Sequence, residues 1–212
     1  MSGDGAIKLV LATHNAHKVT ELRKILGDRL TGIDLIGYDG PEPIEDGETF
    51  AANALIKARA AAAFTGLPAI ADDSGISVDA LNGAPGIHSA RYAGTRDDRE
   101  NLELLLTNLG ALGDGVDRSA HFTCAAAFVS GSVSDSGSDS ASDYVEHVEV
   151  AIWPGSVLPE RAGEGGFGYD PIFLPDGVDV SAAELSAEQK NAISHRTLAF
   201  TQLLPFVRES LL

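Results

Sequence analysis

Two adjacent aspartates, Asp72 and Asp73, stand between two apolar runs near the middle of the sequence. The first run, residues 67–71, predicts a buried strand, and the second, residues 76–81, predicts another. Gly75 between the runs predicts a turn, so both carboxylates are expected where the first strand ends. Adjacent side chains of an extended chain point to opposite faces, so only one of the two can easily face a given ligand. Taken alone, the segment favours a polar hairpin whose aspartates cap turns.

The bulk composition limits the classes of protein to which the chain can belong. Its 212 residues, 44% hydrophobic and 22% charged, predict one soluble domain or two closely packed lobes. The single cysteine, Cys124 in an apolar run, excludes an internal disulfide and a cysteine-based zinc site, and it is expected in the core. No apolar run is long enough to span a bilayer, and the first residues do not resemble a secretion signal. We therefore expect a cytoplasmic protein.

The acidic balance of the chain restricts its partners. A net charge of −16 argues against a nucleic acid or an anionic membrane as partner, because the long-range field would repel both. A small anionic ligand is still compatible with this charge when local cations, backbone N–H groups and a divalent metal hold it. The chain has only five lysines, and three of them, Lys18, Lys57 and Lys190, are candidates for such a site.

The first predicted strand and helix frame a candidate anion site. Residues 7–12 predict a central strand, and apolar residues at helical spacing over 19–26 predict a helix after the polar turn 13–18. Free N–H groups at a helix N-terminus favour an anion, and Lys18 there opposes the helix dipole, which suggests another role for it. The alternative is a plain strand-to-helix turn with solvated side chains, which the spacing alone favours.

An acidic loop at residues 42–48 precedes a predicted alanine-rich helix at 49–64, with Thr49 as its N-cap. Negative charge just before a helix is stabilised by the helix dipole, which is a sufficient structural explanation for the loop. The functional alternative is that one of these carboxylates joins Asp73 in holding a hard cation through oxygen ligands. Lys57, two turns into the helix, would reach the same region.

The middle of the chain predicts a helix followed by a pair of strands. Residues 95–112 show a leucine stripe and a capping pattern that starts at Thr95. Residues 119–129 and 144–153 predict strands that pair antiparallel. The tract between them, residues 130–143, is rich in serine and aspartate and cannot bury apolar area, so it is predicted to be a mobile hairpin insertion without a catalytic role.

A glycine-rich loop at residues 163–171 surrounds Phe167 and Tyr169. Ordering several glycines costs backbone entropy, which is wasteful if the loop serves only to place two aromatic residues in a core. The composition suits a flat ligand that approaches the backbone and stacks on a ring. A pair of core aromatic residues in a β-bulge is the alternative, and the sequence leaves both open.

Residues 186–212 predict a helical C-terminus with a break. Ser186 is the expected cap of the first piece, and His195 and Arg196 fall in the first turn of the last helix. These two cations oppose the helix dipole there, as Lys18 does at its own helix. Cations at two helix N-termini suggest a shared anionic or carbonyl-bearing ligand.

Five motifs, in order along about residues 7–204, resemble those of the Ham1-like non-canonical purine nucleoside triphosphate pyrophosphatases, the inosine and xanthosine triphosphatases. They are T-x-N-x-x-K (13–18), A-D-D-S-G (71–75), G-A-P-G-I-x-S-A-R-Y (83–92), G-F-G-Y-D-P-I-F (166–173) and K-N-A-I-S-H-R (190–196). The chain departs from the family at His14, where many members carry glycine, and at residues 130–143, which fill a variable hairpin.

The resemblance implies an activity and a fold. The activity is hydrolysis between the α- and β-phosphates of ITP, dITP and XTP, which releases the monophosphate and pyrophosphate and removes deaminated purines from the nucleotide pool. The fold is α/β and elongated, with two lobes around a central mixed β-sheet and an active-site cleft between the lobes (Maf/Ham1-like). The family is usually homodimeric, and the implied cofactor is Mg²⁺.

The resemblance also assigns roles to residues, motif by motif. It makes Asp73 the proton acceptor and a magnesium ligand, with Glu45 as the second carboxylate on the metal. Ser74 contacts the substrate. The phosphate-binding segment comprises Thr13, His14, Asn15, Ala16, His17 and Lys18. The nucleoside and base pocket comprises Phe167, Gly168, Tyr169, Asp170, Lys190, His195 and Arg196. Beyond the motifs, Lys57, Asp72 and Arg91 are candidates for a phosphate-binding or supporting role.

These assignments predict how the purine base is selected. Hypoxanthine and xanthine carry a 6-oxo acceptor, which a donor such as Arg196 or His195 favours. Adenine would leave that donor unpaired, at a penalty of roughly 1–3 kcal/mol.

Two other functions are alternatives to this activity. One is a Maf-like pyrophosphatase acting on modified pyrimidine triphosphates, which the S-H-R and F-G-Y-D motifs disfavour. The other is a non-catalytic nucleotide-binding module, which Asp73 and Glu45 disfavour.

Overall fold

Six strands form one mixed sheet in the order β2-β1-β3-β4-β5-β6. The computed structural model describes residues 5–14, 16–131 and 145–212. The strands are β1 (Ile7–Leu11), β2 (Ile33–Gly37), β3 (Ala69–Val78), β4 (Ser119–Ser130), β5 (Val145–Val157) and β6 (Phe173–Pro175). β1 pairs in parallel with β2 and with β3, whereas β5 and β6 are antiparallel. The predicted α/β fold around a mixed sheet is confirmed.

Five α-helices accompany the sheet in the described part of the chain. They are α1 (Ala16–Leu26), α2 (Phe50–Thr65), α3 (Asp98–Gly110), α4 (Ala187–Ile193) and α5 (His195–Leu211). Short 3₁₀ segments lie at Gly27–Leu30, Asp79–Leu81, Gly86–Arg91 and Asp170–Ile172. Among the described residues, none of the helices has the length and apolar character needed to cross a membrane.

Helix boundaries agree with the predicted caps in two of three cases. Thr49 caps α2 by accepting a hydrogen bond from the Ala52 amide at 3.1 Å, and Ser186 forms a reciprocal capping box with Gln189 at α4. The predicted start of α3 near Thr95 is wrong, because Asp97 is the N-cap and accepts from the amides of Arg99 and Glu100. A free carboxylate two residues later competes successfully with the threonine hydroxyl for these orphan amides.

The largest difference from the sequence prediction lies in β3. The predicted turn at Gly75 is wrong, and Ala69–Val78 is one continuous strand that carries both aspartates in its interior. A Cβ at Gly75 would lie 2.4 Å from Ser89 Oγ and 2.5 Å from the Gly86 carbonyl oxygen. Ser89 Oγ in turn accepts a hydrogen bond from the Ile76 amide at 2.9 Å. Glycine therefore permits close approach of a neighbouring segment here instead of making a turn.

The chain divides into two compact units. The first comprises Met1–Asp73, Ala125–Val150 and Ala199–Leu212, and the second comprises Ser74–Cys124 and Ala151–Leu198. The boundaries therefore fall inside β3, β4, β5 and α5. Cys124, at one boundary, is fully buried, as predicted for a core residue. The predicted insertion at residues 130–143 lies outside the described residues except for its first two, Ser130 and Gly131.

Each unit has its own apolar core. In the first unit, α2 contributes small side chains, which let the helix backbone approach the sheet closely; they pack with strand residues in a cluster that includes Ala54, Ala58, Ala61, Ala62, Ala69, Ala71 and Ala125. The core of the second unit uses large side chains from α3 and the strands, including Leu102, Leu105, Leu109, Phe122, Trp153, Tyr169 and Phe173. The first unit thus presents residues of α2 close to β3, where the two aspartates lie.

Candidate active site

A polar pocket in the first unit collects most of the residues predicted to bind phosphate and metal. Its walls come from the end of β1, the start of α1, the loop between β2 and α2, and from α2 and β3. The lining residues are Ala12, Thr13, His14, Lys18, Tyr38, Glu42, Pro43, Glu45, Lys57 and Asp72. Two lysines and three carboxylates therefore share one concave surface, which suits a charged ligand.

Lys57 lies close to the two carboxylates predicted to bind the metal, one of which, Asp73, is also the predicted catalytic base. Its Nζ atom lies 2.9 Å from Oδ1 of Asp73 and 3.7 Å from Oε2 of Glu45. The side chains of Lys57 and Asp73 are only 16% and 13% exposed, so this ion pair is largely screened from water. Glu45 is more exposed and lies in the loop before α2. The predicted convergence of Asp73, Glu45 and Lys57 is therefore present.

Burial and charge shift the pKa values of this pair in a consistent way. Burial raises the pKa of Asp73 above its ordinary value, and the nearby Lys57 ammonium opposes this shift without cancelling it. Burial lowers the pKa of Lys57, but the carboxylates of Asp73, Asp72 and Glu45 outweigh burial and raise it overall. The lysine is thus held firmly as a cation, and the aspartate becomes a better proton acceptor than an exposed carboxylate.

Asp72 contacts a different lysine from a different helix. Lys18 Nζ lies 3.4 Å from both carboxylate oxygens of Asp72, which is buried. Adjacent positions of β3 therefore interact with α1 through Asp72 and with α2 through Asp73, as expected for alternating side chains on a strand. Asp72 also lines the pocket, so it contributes negative charge to the same surface as Lys18.

His14 joins the phosphate-binding segment to the loop after β2. Its Nε2 atom lies 2.7 Å from the Gly40 carbonyl oxygen, its Nδ1 atom lies 3.3 Å from Glu42 Oε1, and its ring lies 5.4 Å from that of Tyr38. Asn15 lies outside the described residues, and so do the side chains of Ala16 and His17. Their predicted roles at the phosphates stay predictions.

In the second unit, Phe167 presents an exposed aromatic ring next to two cations. The residue is 55% exposed, Lys190 Nζ lies 4.7 Å from the ring centroid, and Arg196 Cζ lies 5.5 Å from it. Cations at these distances are attracted by the electrons of the ring. An exposed ring of this size suits a flat partner that stacks on it.

Asp170 holds the loop that carries this ring. It is buried, and its Oδ2 atom accepts hydrogen bonds from the Phe167 amide at 2.8 Å and from Lys190 Nζ at 2.5 Å. Gly166 adopts a φ of +72°, and a Cβ there would lie 2.2 Å from the same Oδ2 atom. Both the positive φ and the lack of space for a Cβ require glycine at this position. Asp170 fixes the positions of Phe167 and Lys190 by accepting their hydrogen bonds.

Tyr169 is a core residue of this loop. It is buried, its hydroxyl donates to the Ser89 carbonyl oxygen at 2.8 Å, and burial raises its pKa well above the ordinary value. The next amide toward the N-terminus, that of Gly168, donates to Asp98 Oδ2 at 2.9 Å. The two aromatic residues therefore divide the two roles that the sequence left open: Tyr169 packs in the core and Phe167 is exposed.

His195 and Arg196 begin α5 and are both buried. The His195 ring stacks on Phe122, with centroids 4.8 Å apart and an interplanar angle of 8°, and it stacks on Trp153 at 5.9 Å. Arg196 is near the Phe167 ring, as described above. The second unit thus brings Lys190 and Arg196 to the Phe167 ring, and Asp170 binds Phe167 and Lys190, whereas His195 packs against Phe122 and Trp153.

Two predicted residues occupy less central positions, and one residue was missed. Arg91 is exposed at the end of the 3₁₀ segment Gly86–Arg91, and Ser74 is half-buried in β3. Asn53 on α2 was not predicted, although it is buried and bonds to the loop that carries Glu45. Its only signal in the sequence is its place in an alanine-rich helix, four residues before Lys57.

Comparison with other proteins agrees with the motifs. The Ham1 family profile matches residues 9–206. The dITP/XTP pyrophosphatase of Leifsonia xyli subsp. xyli (strain CTCB07) is 53% identical over 203 residues, which cover 95% of this chain and 96% of that protein. The dITP/XTP pyrophosphatase of Streptomyces coelicolor (strain ATCC BAA-471 / A3(2) / M145) is 51% identical over 209 residues, with 96% and 98% covered.

Solved structures show the same relationship. A HAM1 protein from Coxiella burnetii superimposes with a TM-score of 0.82 at 41% identity, covering 96% of this chain and 99% of that one. A nucleoside-triphosphatase / dITP/XTP pyrophosphatase from Mycobacterium abscessus ATCC 19977 / DSM 44196 gives a TM-score of 0.72 at 41% identity, with 94% and 100% covered. By its profile match, its relatives and its structural neighbours, this chain belongs to the Ham1 family.

Proposed function

We propose that this chain is a nucleoside triphosphate pyrophosphatase that hydrolyses ITP, dITP and XTP to the monophosphate and pyrophosphate. The observation that carries the proposal is the Lys57 ammonium, which contacts Asp73 and lies near Glu45 in a pocket that also holds Lys18. The relatives from Leifsonia and Streptomyces, which are dITP/XTP pyrophosphatases, support the choice of substrates. Removal of deaminated purines from the nucleotide pool is the corresponding biological role.

Lys18 and Lys57 bind the phosphates in this proposal. Transfer of a phosphoryl group to water needs charge neutralisation and an oriented nucleophile more than it needs covalent chemistry. Both ammonium groups line the pocket and stand beside carboxylates that hold them in place. Thr13 and His14, at the end of β1, add polar groups to the same wall.

Asp73 accepts the proton of the attacking water. Its carboxylate is fixed in the interior of a strand, and Lys57 holds it through a contact of 2.9 Å. Burial raises its pKa, which moves it toward the range where a carboxylate is an effective general base. The water oxygen bonds to a phosphorus of the substrate, the bond between the α- and β-phosphates breaks, and the leaving phosphate oxygen keeps the electron pair.

Magnesium is the proposed cofactor, with Glu45 and Asp73 as its protein ligands. The donor chemistry fits, because Mg²⁺ prefers oxygen and is usually held by one or two carboxylates together with substrate phosphates and water. Both carboxylates lie within 3.7 Å of Lys57 Nζ, so the two proposed ligands are close to one another. When bound, the ion neutralises charge on the phosphates.

The base is recognised by the second unit in this proposal. Phe167 stacks on the purine, and Arg196 or His195 donates to the 6-oxo group that hypoxanthine and xanthine share. Adenine presents an amino group at that position and would leave the buried donor unpaired, a loss of roughly 1–3 kcal/mol. We further propose a cytoplasmic homodimer, which the family resemblance supports.

The test is pyrophosphate release from a panel of triphosphates, with and without Mg²⁺. We expect ITP, dITP and XTP to turn over much faster than ATP and GTP, and we expect Asp73→Asn to abolish turnover while the circular dichroism spectrum is preserved. Equal rates on ATP and ITP would overturn the specificity. Preferred turnover of modified pyrimidine triphosphates would favour a Maf-like activity, and unchanged turnover in Asp73→Asn would overturn the assigned base.

A further inference from the structure

Asn53 is a buried polar residue on a helix face that is otherwise lined with alanine. It is 3% exposed and lies in the first turn of α2, next to the buried Ala54. A buried amide is costly unless both its oxygen and its nitrogen find partners. The contacts of Asn53 therefore explain why an asparagine occupies this position.

The first partner of Asn53 is the loop that carries Glu45. The Gly47 amide donates to Asn53 Oδ1 at 2.9 Å. A Cβ at Gly47 would lie 2.6 Å from the same oxygen and 2.8 Å from Ala52 Cβ, so loop and helix are in tight contact here. Because a backbone N–H only donates, this bond fixes which end of the Asn53 amide is the oxygen and leaves its NH₂ group for another acceptor.

The second partner is Asp73. The Asn53 side chain lies near the Asp73 carboxyl and lowers its pKa, against the larger effect of burial. Since Oδ1 already accepts from Gly47 and an ionised carboxylate can only accept, the NH₂ group is the one that suits Asp73. One planar side chain thus links the Glu45 loop to the strand that carries Asp73.

Lys57 follows Asn53 by four residues, so the two side chains lie on the same face of α2, one turn apart. Lys57 contacts Asp73 and lies near Glu45 through its ammonium group. Both residues of this helix face therefore interact with the same two segments, one through charge and the other through a neutral amide. Charge alone does not fix a distance, whereas the directional bond from the Gly47 amide to Asn53 fixes the Glu45 loop on α2, the helix whose Lys57 contacts Asp73.

We propose that Asn53 is a positioning residue that sets the separation of the Glu45 and Asp73 carboxylates, so that both offer oxygens to one divalent cation. This inference rests on the proposed function. Asparagine is suited to the role because it accepts and donates from one rigid group. Aspartate would accept from Gly47 but repel Asp73, and leucine would remove the acceptor of the Gly47 amide.

The experiment compares Asn53→Ala with Asn101→Ala, a matched buried asparagine. Asn101 is 1% exposed, accepts from the Ala93 amide at 2.7 Å, and donates to the carbonyl oxygens of Ala90 and Thr95 at 3.3 Å each. Both variants should lower Tm to a similar degree. Only Asn53→Ala should raise the half-saturating Mg²⁺ concentration for ITP hydrolysis, by about 10- to 100-fold, with KM for ITP changed less than about twofold at saturating Mg²⁺.

A second readout needs no turnover. Thermal unfolding of each protein is followed at increasing MgCl₂ and at matched ionic strength with NaCl. The Tm increase caused by Mg²⁺ should be present in the wild type and in Asn101→Ala and should be lost in Asn53→Ala. A wild type that gives this increase but releases no pyrophosphate from ITP would contradict the proposed function and leave the role of Asn53 intact, so the two failures are distinguishable.

Gly47→Ala is the second variant, in case Asn53→Ala does not fold. The added Cβ pushes on Asn53 Oδ1 and leaves Asn53 itself in place, so it should raise the half-saturating Mg²⁺ concentration in the same direction. Gly110→Ala is its control, since a Cβ there meets nothing within 4 Å. The inference is overturned if the Mg²⁺ dependence of both Asn53→Ala and Gly47→Ala equals that of the wild type, if Asn101→Ala shifts it equally, or if Mg²⁺ does not raise the Tm of the wild type.

Discussion

The ammonium nitrogen of Lys57 lies 2.9 Å from Oδ1 of Asp73, and both side chains are at most 16% exposed. The two groups come from the middle of a helix and the middle of a strand. An ion pair placed in this way holds the Asp73 carboxylate in one orientation. It also keeps a positive charge next to the position that we assign to the phosphates.

Lys57→Met tests this ion pair, because methionine keeps most of the length of the stem and removes the charge. Removing one partner of a buried pair should lower the free energy of unfolding by about 3–5 kcal/mol. It should also lower kcat/KM for ITP by more than about 100-fold. Urea unfolding and steady-state kinetics measure the two effects. Lys24→Met, at an exposed position of α1, is the control and should change neither.

Phe167→Ala tests the exposed ring. Stacking of a base on an aromatic side chain is worth about 1–3 kcal/mol, so KM for ITP should rise by about 5- to 150-fold while Tm changes little. Leu112→Ala is a control of nearly equal exposure, 53% against 55%, and should leave both KM and Tm unchanged. A similar KM for Phe167→Ala and the wild type would show that the ring does not stack on the substrate.

Asp97 and Asp98 are neighbours with separable roles. Asp97 caps α3 by accepting from the amides of Arg99 and Glu100, both at 2.9 Å, so Asp97→Ala should cost about 1 kcal/mol of stability and leave KM unchanged.

Asp98 instead accepts from the Gly168 amide beside Phe167, so Asp98→Ala should raise KM for ITP. It should cost stability through the lost hydrogen bond, about 0.5–1.5 kcal/mol, and through the helix dipole, about 0.3–1 kcal/mol. Urea titrations and KM measurements on both single variants distinguish the roles. The same KM for the two variants would contradict the assignment of Asp98.

Tyr169→Phe should change how stability depends on alkaline pH. Burial raises the pKa of Tyr169 in the folded protein, so the folded state favours the neutral phenol over the phenolate that forms in the unfolded chain near pH 10. The stability that this shift provides is fully present below pH 10 and is lost as pH rises above it. The unfolding free energy of the wild type should therefore fall more steeply above pH 10 than that of Tyr169→Phe.

At pH 8, where the phenol is neutral in both states, Tyr169→Phe should be less stable by about 1 kcal/mol because the bond to the Ser89 carbonyl oxygen is lost. The difference between the two proteins should shrink as pH rises. Urea unfolding at a series of pH values from 8 to 11 measures it. Parallel curves over that range would contradict the prediction.

Elements whose signals lie in neighbouring residues were predicted correctly from the sequence. The uninterrupted strand β3, which depends on a distant residue, was not. Residues 7–12 were predicted as a strand and Ile7–Leu11 is β1, and Thr49 was predicted as the cap of α2, because an apolar run and a helix cap depend only on near neighbours. Gly75 was misinterpreted as a turn because its cause is the distant Ser89, whose hydroxyl takes the space of a Cβ. No property of residues 69–78 alone reports that neighbour.

The candidate site was predictable to a similar extent. The resemblance and the charge pattern predicted that Glu45, Lys57 and Asp73 lie together. In the structure, both carboxylates lie within 3.7 Å of the Lys57 ammonium nitrogen. Asn53 was not predicted, because its partners are six and twenty residues away and an asparagine in an alanine-rich helix is ordinarily a solvated residue. Burial is what distinguishes it, and burial is a property of the folded chain.

The two proposed metal ligands lie in segments of very different regularity. Asp73 is inside a ten-residue strand whose backbone is paired, whereas Glu45 lies in residues 38–49, which form neither helix nor strand. Amide hydrogens of β3 should therefore exchange with solvent only through large openings of the protein, while those of the Glu45 loop exchange through small local ones. On heating, the loop should open first. Glu45 should then no longer bind the proposed cation, and activity should be lost at temperatures where the sheet is still intact.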